Sequence, residues 1–231
     1  MSTDRRDFLG VMLAAGVVPM LGGTAHGRKG ATGEFPAVAP ARDSASPWDV
    51  SWADKLTGKH KAVFDNVELG MGLGMLRALM WQKDYAEVYN ATPADMSGVV
   101  VLRHGAIWAV MNDEFWKMHK LGELTKINDP ATKAPTTRNP FIGSNVYGLP
   151  PALADDVLTK CLATTKVLAC NVAFSLYVVE KVKADTKMDD AKAREHALGY
   201  LIPGVTLQPS GVFASLRAQE AGCNYILATE A

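Results

Sequence analysis

Neither sign of charge is in surplus in this 231-residue sequence, where Lys plus Arg and Asp plus Glu number 24 each. The chain as a whole therefore offers no electrostatic attraction to nucleic acid or to an anionic membrane, and neither is expected as a partner. Cysteine is scarce, at three residues without a CxxC spacing, and the five histidines contain no pair four apart. No metal site is expected on that pattern. A dinucleotide fingerprint is also missing: Gly70-Met71-Gly72-Leu73-Gly74 opens a helix after a strand, but the third glycine of the motif would stand where Met75 stands. Close packing of that helix on a sheet accounts for the glycines, and no organic cofactor is expected. What remains is 48% hydrophobic and 21% charged, the composition of an ordinary globular protein with enough chain for a sizeable core.

The amino terminus places Arg5-Arg6 before an apolar segment running from Phe8 to Leu21. That segment is shorter than the roughly 20 residues that span a bilayer as a helix, and Gly16 and Pro19 interrupt it. It resembles a twin-arginine export signal, with cleavage expected after Ala25 and a periplasmic or exported product. Residues 26–50 are rich in Gly, Ala and Pro and poor in large apolar side chains, so they read as a linker. The folded domain is expected over 51–231. In an oxidising compartment an odd set of cysteines, Cys161, Cys170 and Cys223, leaves at least one thiol unpaired. A Cys161–Cys170 disulfide is one alternative.

Within the domain, short apolar runs alternate with helical periodicity. Strands are expected at Lys61 to Val67, Gly98 to Arg103, Lys166 to Ala169, Gly204 to Leu207 and Cys223 to Leu227. A helix through Leu69, Leu73, Leu76 and Met80 follows the first. A second carries Phe115, Trp116, Met118 and Leu121 behind a cap at Asn112 or Asp113. Further helices are expected over Ala152 to Leu162, Phe174 to Lys183, Asp190 to Leu198 and, capped by Ser210, through Ala221. The span 128–151, with five prolines, reads as a lid, a partner-contacting arm or a disordered insertion. Strands joined by helical crossovers imply an α/β fold: a single-domain open parallel sheet of about five strands with helices on both faces.

In such a sheet ligands bind outside the carboxyl ends of the strands. That rule selects Glu68 after the first strand, His104 after the second, Cys170 and Asn171 after the third, and Ser210 after the fourth. Cys170 is the best-placed reactive group, because a thiol at a strand-to-helix junction, near a possible His⁺, is favoured as thiolate. The opposing account is an inert buried cysteine, a frequent fate of free thiols. His104 serves equally as a proton carrier or as a group satisfying a loop carbonyl. Glu68 reads first as a helix-start acid.

The segments Lys166-Val167-Leu168-Ala169-Cys170-Asn171, Leu201-Ile202-Pro203-Gly204-Val205-Thr206-Leu207-Gln208-Pro209-Ser210-Gly211-Val212 and Leu216 to Ile226 resemble the DsrE/DsrF-like family, with His104-Gly105 fitting its second strand. The likeness runs over roughly residues 58 to 228. It implies a small α/β domain assembling as trimers or hexamers, in which the matched cysteine, Cys170, accepts or carries sulfane sulfur as a persulfide. The partner would be a small sulfur compound or a sulfur-carrier protein. The alternative is a non-catalytic module binding a small ligand or a protein on the same scaffold.

Overall fold

A computed structural model describes residues 46–143 and 155–228. The expected export segment, most of the expected linker and the 144–151 part of the proline-rich span lie outside the described residues. Five parallel strands form one sheet in the order β4-β3-β2-β1-β5: β1 His60–Asn66, β2 Met96–Leu102, β3 Thr165–Cys170, β4 Thr206–Gln208 and β5 Asn224–Ala228. The last five residues of both β1 and β2 are buried; β2 accordingly appears in the sequence as an unbroken apolar run from Gly98 to Leu102, whereas β1 ends in the buried polar residues Asp65 and Asn66.

Side-chain alternation sends each strand's residues into two unequal cores. Ala62, Phe64, Val100, Leu102, Val167 and Ala169 face the larger one. It is covered by α1 Leu73–Tyr89, a 3₁₀ turn His104–Val110, α2 Asp113–Met118, α3 Leu121–Thr125 and α4 Val157–Thr164. The same side carries a helical run of α5 Asn171–Ala173, a π-helical stretch Phe174–Val179 and α6 Glu180–Thr186, followed by α7 Asp190–Leu198. Val63, Val99, Val101 and Leu168 face the smaller core, under α8 Gly211–Glu220 and the amino-terminal turn containing Trp52 and Ala53. Each such fully buried Val, Leu or Phe contributes about 1.5–3 kcal/mol. The expected α/β class, parallel sheet and covering of both faces are all present. Among the described residues no helix is long and apolar enough to cross a membrane.

Three details depart from expectation. The first helix starts at Leu73 rather than Leu69, because Gly70 and Gly72 hold positive φ (38° and 66°) and break the helical path. The second is two short helices, since Lys120 at φ 50° interrupts the run after the Asn112 cap. The described part of the proline-rich span is also not a free arm. Asn139 is fully buried and donates through Nδ2 to the carbonyls of Ala109 and Met111, at 2.7 Å each, and Phe141 is 1% exposed.

Candidate functional site

The strands' carboxyl ends form one rim. Register sets its levels: Leu102 lies opposite Ala169, so Arg103 and Cys170 leave neighbouring strands at the same height, with His104 one residue further. On its other side Cys170 lies opposite Gln208, the last residue of β4. Cys170 caps the helical run that begins at Asn171, and its Sγ accepts a hydrogen bond from the Ala173 N–H at 3.3 Å. The helix then widens into the π stretch Phe174–Val179, a geometry often found beside functional sites.

His104 opens the 3₁₀ turn with φ 47°, an uncommon conformation for a non-glycine residue. That turn packs on the π stretch, with the Trp108 and Tyr177 rings meeting edge to face at 6.5 Å. It also touches the loop after β1, since the Ala106 N–H donates to the Val67 carbonyl at 3.3 Å. Gly105 faces the Glu68 backbone there. Cys170, His104 and Glu68 therefore stand on adjacent segments of one rim, with Glu68 exposed to solvent. The hydrogen bond to the thiol comes from the Ala173 amide rather than from His104.

The other two expected residues are occupied structurally. Asn171 Oδ1 accepts from the Arg194 guanidinium at 2.5 Å, and Arg194 also reaches Ser175 Oγ at 3.2 Å and lies over the Phe174 ring. Ser210 Oγ accepts from the Phe213 N–H at 3.0 Å, the N-cap of α8. All three cysteines are free, so the Cys161–Cys170 disulfide is not formed. Burial pushes the Cys161 thiol up to about 12 and the Cys223 thiol up to about 11, which keeps both protonated and unreactive.

Two clusters escaped the sequence reading. At the rim, Asp65, 2% exposed, takes a bidentate ion pair from Arg103 (2.8 and 2.9 Å) and a hydrogen bond from the Tyr225 hydroxyl at 2.6 Å. The paired carboxylate holds the Arg103 guanidinium above its usual range, and Gly211 leaves room for the arginine stem. A charged residue inside the apolar run of β1 was the available signal, because such an acid must find a partner. The second cluster, His119 with Asp185, Lys181 and His196, joins residues too far apart in the chain for any spacing rule.

No family model matches this chain, and no curated protein matches it. The chemistry of the rim accordingly rests on its own geometry. Concavities of about 610 and 180 Å³ lie elsewhere, the first lined by residues of α7 and the second at the amino ends of β1 and β5. Cys170 lines neither. Among the described residues no three His, Cys, Asp or Glu side chains are grouped to hold a metal.

Proposed function

We propose that this protein is an exported carrier of sulfane sulfur, with Cys170 as the accepting thiol. The observation that supports the reading most is the Ala173 N–H donated to Cys170 Sγ at 3.3 Å, at the carboxyl end of a parallel strand. The proposed step conserves atoms and electrons. The Cys170 thiolate attacks the terminal sulfur of a persulfide or polysulfide donor, an S–S bond forms to Cys170, and the donor's S–S bond breaks. The donor thiolate leaves, and no external oxidant is needed. His104 acts in this scheme as the proton partner at the rim, receiving the Cys170 proton before attack. The donor is a small sulfur compound or a sulfur-carrier protein, and the chain works as a trimer or hexamer in the periplasm, as the sequence resemblance implies.

The test is exposure of the full chain to polysulfide and measurement of protein-bound persulfide. Wild type is expected to gain persulfide and Cys170→Ala to gain none; equal labelling of the two would sink the reading. A non-catalytic binding module is favoured by one observation, the 6% exposure of Cys170. Absence of persulfide on wild type would support that alternative.

A further inference from the structure

His119, the C-cap of α2, is 1% exposed, and its Nδ1 lies 2.7 Å from Asp185 Oδ2. Lys181 Nζ reaches both oxygens of the same carboxylate at 2.7 Å. An ionised carboxylate only accepts, so the His119 proton resides on Nδ1 and its Nε2 carries a bare lone pair. That Nε2 is buried without a hydrogen-bond partner, and so is Nε2 of His196 on α7. The two rings are neighbours, with centroids 5.9 Å apart and planes at 86°. A buried polar atom left unpaired costs about 1–3 kcal/mol. Two of them on neighbouring rings point to something held between.

Several features favour a Lewis acid over a water. A carboxylate behind a histidine's other nitrogen is the usual support of a metal-bound imidazole. Burial pushes the His119 pKa down against the pull of Asp185. Two imidazoles sharing one ion at about 2.0 Å place their centroids roughly 5 to 6.5 Å apart, and the observed separation falls in that range. His196 also lines the groove of about 610 Å³, whose wall carries Glu114, Glu195 and the Met188 thioether. Lys192 at its edge is paired with Asp189 at 3.4 Å. With no three strong donors grouped among the described residues, two imidazoles would be the fixed ligands and the remaining positions would open to the groove. That is the pattern of an exchangeable ion rather than of a closed structural one. We propose that His119 and His196 bind one late first-row transition-metal ion, copper or zinc, both of which suit imidazole donors.

Titrating the untagged full chain separately with Zn²⁺ and Cu²⁺, by calorimetry and by Cu²⁺ electron paramagnetic resonance, tests this. One equivalent is expected, with coupling to two imidazole nitrogens. Affinity should fall at least tenfold in His196→Ala and in His119→Gln, and by about 10–100-fold in Asp185→Asn, which removes only the support. Cys170→Ala should bind as wild type does. His196 is only partly buried, so its variant decides the matter even where His119→Gln fails to fold. Binding of neither ion, binding unchanged by His196→Ala, or binding lost in Cys170→Ala would each overturn the inference. None of these readouts depends on sulfur transfer.

Discussion

Asp65 carries a charge at 2% exposure, and what makes that tolerable is the pair of Arg103 donors and the Tyr225 hydroxyl. Removing one partner of such a pair leaves the other charge without compensation, so Asp65→Ala is expected to lower stability by about 3–5 kcal/mol in urea unfolding. Tyr225→Phe removes one charge-assisted hydrogen bond and should cost about 1.5–3 kcal/mol at most. The same residue-scale logic separates the thiols. Cys170 and Cys223 are equally exposed, at 6%, so solvent access does not distinguish them. Cys170 has an amide N–H aimed at sulfur, whereas burial pushes the Cys223 thiol up to about 11. Any difference in reactivity between them therefore reports the local electrostatics of the helix start.

Among the elements, α1 is fixed on the sheet by its glycine. A Cβ on Gly74 would come within 2.0 Å of Asn66 Oδ1, while Asn66 Nδ2 is committed to the carbonyls of Phe64 and Val101. Gly74→Ala should thus displace the helix and lower stability by about 1–3 kcal/mol, readable as a fall in the urea midpoint. At the other face, Ser210→Ala deletes the N-cap of α8 and is expected to cost about 1 kcal/mol while leaving persulfide loading of Cys170 intact. The strands were readable in advance because a parallel strand buried on both faces must be apolar throughout, as Val99 to Leu102 are. Helix starts and breaks were less readable. Lys120 takes its positive φ as an exposed residue without a turn signal of its own, and the π stretch has no sequence period of its own. Residues 136–142 read as loop, yet Asn139 and Phe141 are core, because one side chain there supplies the backbone partners a helix would have supplied.

At the scale of the whole molecule, the sheet order β4-β3-β2-β1-β5 puts β3 and β2 side by side, and this brings His104 and Cys170 onto neighbouring rim segments. Strand alternation with helices made the rim legible. The pairing of Arg103 with Asp65, and of His119 with Asp185, depended on which strands and helices become neighbours, and spacing carries no record of that. The buried His119 also sets the acid response. Its folded-state pKa is lowered from the ordinary 6.5, so below about that pH the unfolded chain binds a proton that the folded chain refuses. Stability should fall as the pH drops below about 6.5, and His119→Gln should flatten that slope in urea melts run with chelator present.

The claim on which the sulfur chemistry depends is that Cys170 is the reactive thiol of the folded protein. Limited alkylation of the native full chain, resolved by peptide mass spectrometry, measures this directly. The account predicts that Cys170 is modified first, with Cys161 and Cys223 modified only after denaturation. Cys223 reacting as fast as Cys170, or all three thiols staying protected until the chain unfolds, would contradict it.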